Sequence, residues 1–593
     1  MTRRCSVHSP LTQTKRMTKP IRTALLGCCL AASLPAMGQD DGRSWSLTGS
    51  VQSDVLIPQE DEKINTGEYS DWGLTNTYAE LHVLNKYVQA GARFEFTEYP
   101  LPGFENDFKG WGVPYFYITG KYKGFELTAG DFYDQFGSGL IFRTYEERSL
   151  GIDNSLRGGR LVMKPRKGVS FKLLGGKQRR YWSHNDAWIY GGDVELNVDQ
   201  WFGRMQQSGT YLTIGASAVN KHEGDENLMT IRPTGEKDEY GDDVLGLYRL
   251  NLPHNVAAFD VRANLQKGDY NLLVEYARKA QDPSFDNGYI YRPGQALLLS
   301  GSWSRRGASV LLQAKRSENM AYRSARSMEG TSSFINHLPA FSQQQTYALA
   351  ALYPYATQNA LGEWAFQAEA AYTFKRNTPL GGRYGTKLKA NFSHIRSIDR
   401  RPVEGVSDLS DREQTMGTDG YTSKFFKMGD EVYYQDINVQ LEKKISRDFK
   451  LNLMYMHQRY NQTVVEGHGG TVRSHIAIAE GKYQINDRLT LRAEAQYLHT
   501  EQDQKDWWYG LVELSVLPSL MFTVSDMYNA HVEGADGAER KVHYYMVSGT
   551  FTHKAHRLQV GYGKTRAGYN CSGGVCRWVP ASKGVQLSYN YNF

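Results

Sequence analysis

The sequence predicts an all-β protein, a transmembrane antiparallel β-barrel of about 22–26 strands, with about 26 as the best estimate. Three observations predict it. Apolar and polar residues alternate with a period of two along most of the chain. Short polar turns alternate with long loops, and the chain ends on an alternating segment whose last residue is Phe593. Long extracellular loops and short periplasmic turns are typical of outer-membrane barrels.

The first 38 residues have the composition of a secretory signal peptide. Six Lys and Arg residues and no acidic residue precede an apolar run at 23–34, and the small residues Ala36 and Gly38 follow it. This order of a basic segment, a short apolar core and small residues is typical of a cleaved signal. An alternative is a lipoprotein signal cleaved before Cys28, which leaves a very short apolar core. We therefore expect a mature barrel over residues 39–593.

The charge balance changes once this leader is removed. The formal net charge of the chain is +6, and all six leader charges are positive, so the mature chain is neutral. No basic stripe remains that favours nucleic acid as a partner. The mean hydropathy is −0.55, and no run beyond the leader is long and apolar enough for a spanning helix. Neither observation argues against a barrel, because a barrel strand is apolar on only one face.

Only two of the five cysteines lie beyond the leader, Cys571 and Cys576 in the segment CSGGVC. In an exported protein such a pair is most simply a disulfide that closes a small loop. The alternative is half of a metal site, but no second Cys or His pair completes it. We predict the disulfide.

The alternation is clearest in the segment AFDVRANL. Phe259 and Val261 alternate with Asp260 and Arg262 there, so a strand has one apolar and one polar face. The same period recurs in residues 88–96, 433–442, 489–497 and 585–593. In a barrel the apolar face contacts lipid and the polar face lines the lumen.

The connections between these segments alternate in length. Short polar turns are predicted at residues 85–86, 121–124, 165–168, 267–269, 305–307, 446–448, 486–488 and 517–519, and long loops at 57–73, 135–155, 220–253 and 319–343. About twenty-five strand-like segments result, whereas a barrel with both chain ends in the periplasm needs an even number. The topology is not settled between residues 319 and 430.

The last strand explains the aromatic terminus. In a closed barrel the C-terminal strand pairs with the first one, which we place at residues 45–56. A terminal aromatic residue after alternating apolar residues, here Tyr589, Tyr591 and Phe593, resembles the signal read by the outer-membrane insertion machinery. A soluble propeller or sandwich also alternates, but it does not favour this terminus or this rhythm of turns and loops.

Residues 130–161, GDFYDQFGSGLIFRTYEERSLGIDNSLRGGRL, are the most distinctive stretch. Together with residues 378–388 and 429–444, they resemble a family of exported proteins from bacteroidete-type Gram-negative bacteria. The resemblance covers the whole mature chain. It implies an outer-membrane barrel of undetermined function and brings no catalytic residue with it.

The same stretch is rich in glycine and in charges of both signs. Gly137 and Gly139 indicate a close approach, either of a loop folded into the lumen or of a tight turn. Charged side chains there form either a lumenal ion-pair network or a solvated extracellular loop. The polar residues that we predict to face the lumen are Arg93, Glu95, Arg143, Glu146, Glu147, Arg157, Arg160, Arg262, Arg492 and Glu494.

Other chemical motifs are weak. His553 and His556 fall in a predicted hairpin turn, and the acidic segment 222–243 lacks the ligand spacing of a calcium loop. Ser393 with His394, or His531 with Glu533, supplies the residue types of a hydrolase without a complete nucleophile, base and acid. We therefore expect no enzyme, no cofactor and no resident metal.

Three functions are compatible with such a barrel. The first is a channel or transporter that passes solutes through a wide lumen. The second is a non-conducting scaffold in an outer-membrane export or assembly complex, whose lumen a protein partner occupies. The third is a surface binding protein that uses its long loops. All three place the chain in the outer membrane, in contact with its lipids and, during insertion, with the assembly machinery.

Overall fold

The computed structural model describes residues 45–66, 71–357, 361–533 and 537–593. The predicted signal peptide, residues 1–38, lies outside the described residues. Where the chain is described, none of its helices has the length and apolar character needed to cross a membrane.

Twenty-four strands form one closed antiparallel sheet in the described residues. Each strand pairs with its neighbours in the sequence, and the first strand pairs with the last. The strands are β1 Ser46–Pro58, β2 Leu74–Leu84, β3 Val88–Thr97, β4 Gly110–Tyr122, β5 Phe125–Phe132, β6 Leu156–Arg166, β7 Val169–Arg180, β8 Ser183–Asn197, β9 Thr210–His222, β10 Asn255–Lys267, β11 Tyr270–Lys279, β12 Gly294–Arg305, β13 Ala308–Glu318, β14 Glu363–Phe374, β15 Thr386–Ile398, β16 Met428–Lys444, β17 Phe449–Asn461, β18 Thr471–Gln484, β19 Leu489–His499, β20 Trp507–Val516, β21 Leu520–Glu533, β22 Glu539–His553, β23 His556–Thr565 and β24 Ser582–Asn592. This is an all-β closed barrel.

The seam joins β1 to β24 in register from Ser50 with Asn592 to Pro58 with Gly584. The pairing of the first and last strands is as predicted, but the best estimate of about 26 strands exceeds the twenty-four found here. The unsettled region explains the difference. The chain from 319 to 357, whose apolar residues are compatible with strands, contributes no strand to the wall.

The two faces of the wall differ as the alternation predicts. On β10, Phe259 and Val261 are 58% and 56% exposed on the outer face, whereas Asp260 and Arg262 are only 2% and 9% exposed within the barrel. Because side chains alternate along a strand, the polar set turns toward the lumen. β16 departs from this pattern at a register shift, where Ile395 pairs with Tyr434 and Arg396 with Val432. This bulge lets both Tyr433 and Tyr434 be buried, although the alternation predicts Tyr433 on the outer face.

Connections at the two ends of the barrel differ in length. The start of β1, the end of β24 and most short turns lie at one end, here called the short-turn end. The longest connections lie at the other end, here called the long-loop end, and one of them contains the hairpin Met229–Lys237 with Asp243–Arg249. A second hairpin, Gly568–Ser572 with Val575–Val579, precedes β24 and contains the Cys571–Cys576 disulfide that the sequence predicts.

Candidate functional site: a lumen closed by two loops

Two long loops fold into the lumen and close it. We call residues 133–155 and 319–357 together the plug. Four residues of the first loop, Phe136, Leu140, Ile141 and Phe142, are completely buried. They share one apolar core with Met320, Tyr322, Ile335 and Leu349 of the second loop and with inward residues of the wall. Burial of this much apolar surface favours the closed arrangement.

Backbone hydrogen bonds join the two loops into one unit. The amide of His337 donates to the carbonyl of Gly139 at 2.9 Å, and the amide of Arg143 donates to Ile335 at 2.8 Å. The side-chain amide of Asn336 donates to the carbonyl of Leu140 at 3.0 Å. Polar backbone groups of a buried loop must be paired in this way, because water is excluded from them.

Gly137 allows the first loop to approach the wall closely. Its φ of +50° lies in the left-handed region, and a Cβ atom there would stand 2.6 Å from a carboxylate oxygen of Glu275. Glu275 also accepts the amide of Ser138 at 3.0 Å. A side chain at position 137 would therefore push the loop away from β11.

A buried group of charges, here called the arginine cluster, fixes the plug to one side of the wall. It consists of Glu80, Arg93, Glu95, Glu146, Arg148, Asp153 and Arg179. Arg93 is 2% exposed and pairs with Glu95 of its own strand at 2.7 Å and with Glu146 of the plug at 2.9 Å. Arg179 of β7 contacts Glu95 at 2.6 Å. Charge-assisted hydrogen bonds of this kind are strong where water is excluded.

Asp153 connects the plug to two arginines of the cluster. It pairs with Arg93 and Arg179, and it accepts a hydrogen bond from Tyr133 at 2.9 Å. Burial alone raises the pKa of Asp153, but the two guanidinium groups outweigh it, so the pKa is lower than usual. Asp153 therefore stays charged and holds both arginines.

His337 is the titratable group at the contact between the two loops. Burial lowers the pKa of His337 to about 3, and repulsion from Arg143 and Lys315 contributes to the same shift. The imidazole is consequently neutral in the closed plug at ordinary pH.

Two further ion-pair groups lie on the same side of the lumen. Arg160 pairs with Asp134 of the plug and, at 2.7 Å, with Glu126. Arg262 contacts Asp193 at 2.5 Å and Asp260 at 2.8 Å, within the wall beside the first loop.

The remaining predicted lumen residues occupy separate places. Arg157 lies on the opposite face of its strand from buried Leu156, next to exposed Phe116, and it pairs with Asp131 at 2.9 Å. This placement differs from the predicted lumenal one, because the alternation turns residue 157 outward. Arg143 packs over the ring of Tyr145 at 4.5 Å.

The other two predicted groups make their contacts outside the arginine cluster. Glu147 accepts a hydrogen bond from Ser572 at 3.0 Å and so contacts the disulfide hairpin. Arg492 and Glu494 pair with each other on β19, and Arg492 also contacts Glu480 at 3.1 Å. The second plug loop reaches this part of the wall, since Tyr347 donates to Glu480 at 3.2 Å.

Between the plug and strands β22, β23, β24 and β1 lies a cavity of about 330 Å³, here called the wall cavity. Small or uncharged polar residues of the wall line it, including Ser548, Gln559, Gln586 and Ser588. Asp54 of β1 also lines it, and Ser149 of the plug lies on its other side. Apolar residues such as Leu56, Phe104 and Met546 line the rest, so the plug leaves a space of mixed polarity along this part of the wall.

The weaker motifs do not assemble into sites. His553 and His556 pair across a tight turn, and His531 contacts Glu539 at 2.7 Å. Neighbouring residues Ser393 and His394 make separate hydrogen bonds, to Asn391 and Gln435. Within the described residues, no group of three or more His, Cys, Asp or Glu side chains could hold a metal ion.

Sequence reasoning missed Glu80 and Arg179 of the arginine cluster, and it included Arg148 and Asp153 only as charges of the stretch 130–161. Register could have indicated Glu80, because it lies directly opposite Arg93 on the neighbouring strand. Arg179 reaches Glu95 across the lumen from a distant strand, so no local pattern indicates it.

Comparison with curated proteins finds no match. Among solved structures, the siderophore receptor PirA from Pseudomonas aeruginosa matches at 9% identity and a TM-score of 0.39, covering 92% of this chain and 80% of that one. The translocation pore of the P pilus usher PapC matches at 9% identity and 0.41, covering 92% and 99%. The copper transporter OprC matches at 9% identity and 0.40, covering 92% and 80%. The chain belongs to the family described as a family of unknown function, DUF6029, whose model matches residues 17–593.

Proposed function

We propose that this barrel lies in the outer membrane and passes a solute through a lumen that its own loops gate. The observation that carries the proposal is the plug. It is built from the same chain, and it contacts the wall at several places, including the arginine cluster and Glu480 of β18, while the wall cavity remains along another part of the wall. A lumen of this width must be either filled or conducting, and here the filling is an arrangement of loops that can move.

The outer face supports the membrane location. Exposed apolar residues such as Phe259, Val261 and Val512 alternate with inward polar ones, which is the pattern of a lipid-facing wall. In this setting Tyr589, Tyr591 and Phe593 serve as the signal for insertion, and the long-loop end faces the outside of the cell.

The wall cavity supports a path for the solute. Its lining includes Ser548, Gln559, Gln586 and Ser588, which offer hydrogen bonds without the strong binding that would stop passage, and apolar side chains line much of the rest. The scaffold alternative requires a partner in the lumen, where the plug already lies. We infer no enzymatic role.

Conductance in planar bilayers tests the gate. We expect the unmodified protein to be mostly closed, and a variant with residues 135–153 replaced by a flexible linker to conduct steadily. Replacement of the hairpin at residues 229–249 is the control and should leave the barrel closed. A steadily open unmodified protein, or a correctly folded linker variant without conductance, would contradict the proposal.

A thiol reagent tests the path. Ser588→Cys would be the free thiol of the mature chain, because Cys571 and Cys576 are bonded to each other. We expect the linker variant carrying Ser588→Cys to react and to lose conductance. The control is Ser217→Cys on β9, where the native serine is buried and donates a hydrogen bond to Asp193 of β8. This thiol should react slowly and leave the conductance unchanged. Equal effects at both positions would exclude a path along the wall cavity.

A further inference from the structure

A second cavity, of about 390 Å³, opens at the long-loop end between the plug, the barrel rim and the disulfide hairpin. We call it the rim cavity. Its lining includes Tyr353, Asp503, Trp507, Tyr544, Arg566 and Trp578. These residues come from the plug, from four different parts of the rim and from the hairpin, so the cavity exists only in the folded barrel with its plug in place.

Aromatic rings form much of this lining. Trp507 and Tyr544 lie with ring centroids 6.2 Å apart on the wall side. Tyr569 and Trp578 of the disulfide hairpin meet edge to face at 5.2 Å, and Trp578 is about half exposed. Trp507 and Tyr544 are buried and support the wall of the cavity, so the exposed ring of Trp578 is the surface that can contact the apolar face of a small ligand.

Hydrogen-bond acceptors and donors lie between the rings. Asp503 accepts a hydrogen bond from Tyr353 at 2.8 Å and keeps its second carboxylate oxygen for another donor. Arg566 donates to the backbone carbonyl of Ala567 at 2.8 Å, which engages only part of its guanidinium. The indole nitrogen of Trp507 is buried and has no hydrogen-bond partner in the described part of the chain.

The charges of the lining nearly balance. Lys63 and Arg566 face Glu466, Asp503 and Glu533, so an ion of either sign would meet groups that repel it. A neutral ligand that both donates and accepts hydrogen bonds meets no such repulsion. A sugar ring has these properties, because its C–H face packs on aromatic rings while its hydroxyl groups donate and accept.

We propose that the rim cavity is a binding site for a saccharide unit. The site does not depend on the proposed transport, because binding requires only the folded barrel. Trp578 stacks on the sugar ring, Asp503 accepts from its hydroxyl groups, and Arg566 donates to its oxygens. The ligand would come either from free oligosaccharides or from the sugar part of a glycolipid.

Binding to the purified full-length protein in detergent tests the site. The probes are glucose, galactose, mannose, N-acetylglucosamine and their disaccharides, followed by tryptophan fluorescence and calorimetry. We expect one or more sugars to bind saturably, and choline and inorganic phosphate not to bind. A second arm compares nanodiscs with and without lipopolysaccharide, since competition by the embedded glycolipid would identify it as the source.

Variants assign the site to these residues. Trp578→Ala should weaken binding about ten-fold, whereas Trp578→Phe, which keeps a ring, should weaken it about two-fold. Asp503→Asn should also weaken binding, while Trp111→Phe, at an exposed position on β4, should have no effect. Absence of saturable binding by every sugar, tighter binding of choline or phosphate, or normal binding by a folded Trp578→Ala variant would overturn the proposal.

Discussion

Gly49 and Phe593 exchange two backbone hydrogen bonds, each 2.9 Å from nitrogen to oxygen, at the seam of the barrel. The ring of Phe593 also lies over Gly49, so a Cβ atom at position 49 would stand 2.4 Å from the ring and 2.6 Å from the carbonyl oxygen of Glu80. The last residue of the chain is therefore part of the closure, and glycine at position 49 leaves room for it.

This contact predicts the effect of a single methyl group. Gly49→Ala should lower the free energy of unfolding by about 1–3 kcal/mol, because the seam is already closely packed. Urea unfolding in lipid vesicles, followed by tryptophan fluorescence, measures this change. Gly120→Ala on β4 is the matched control, since no atom lies within 4 Å of its added Cβ. Equal stability of the two variants would show that the seam tolerates the methyl group.

The outer face predicts that the stability cost of a charged substitution depends strongly on whether the side chain points outward or into the lumen. Val261→Arg, near the middle of β10, should cost about 2–4 kcal/mol of stability in lipid, because it places a charge in the hydrocarbon. Thr490→Arg, predicted to point into the lumen from β19, should cost much less. The same urea titration in vesicles compares them. A similar cost for both variants would argue against a lipid-facing outer wall.

The arginine cluster predicts that loss of one cation releases the plug. Arg179→Met removes one of the two arginine partners of Glu95 and Asp153, which leaves a buried group with excess negative charge, and breaking such a group costs up to about 3–5 kcal/mol. We expect more frequent opening in planar bilayers. The double variant Arg179→Met with Glu95→Met should open less often than Arg179→Met, because it also removes one of the carboxylates that Arg179 neutralised.

The matched control for this prediction is an exposed ion pair. Arg249 contacts Asp225 in the long loop before β10, where both side chains are accessible to water. Arg249→Met should change the stability by at most about 1 kcal/mol and leave the conductance unchanged. If Arg179→Met behaves like Arg249→Met, the cluster does not hold the plug.

His337 predicts a dependence on pH. Its pKa is about 3 in the closed plug and about 6.5 when exposed, so released loops bind a proton more readily. Above pH 6.5, protonation of His337 therefore does not affect the stability of the closed plug. As the pH falls from 6.5 to 3, protonation of His337 increasingly favours release of the plug loops. We expect conductance to rise over this interval and His337→Gln to reduce the rise. An unchanged pH profile in His337→Gln would exclude this residue as the cause.

Much of the wall was predictable from the sequence, because one physical rule governs every strand. Each inward or outward position follows from the period of two, and the pairing of residues 45–56 with the last strand follows from closure. The exceptions lie where the chain leaves the wall or bulges. Tyr433 is buried at a bulge, which no alternation pattern reveals.

The plug was only partly predictable. The glycines and charges of residues 130–161 indicated either an inward loop or a solvated one, and only the tertiary structure decides between them. The second loop was predicted only over residues 319–343, because the apolar residues that follow, such as Leu349 and Tyr353, are also typical of strands. The rim cavity was not foreseen, since Tyr353, Trp507 and Trp578 are distant in sequence and meet only when the barrel closes.

The two halves of the plug leave the wall at different points along the chain, after β5 and after β13. The chain is synthesised from its N-terminal end, so the first loop is made before its partner loop. A partly inserted chain that stops before residue 319 would hold Phe136 and Leu140 without the residues that cover them. If the barrel lies in the outer membrane as proposed, such a chain would expose apolar surface and leave its lumen unfilled, and cells that accumulate it should lose periplasmic contents and become sensitive to large antibiotics.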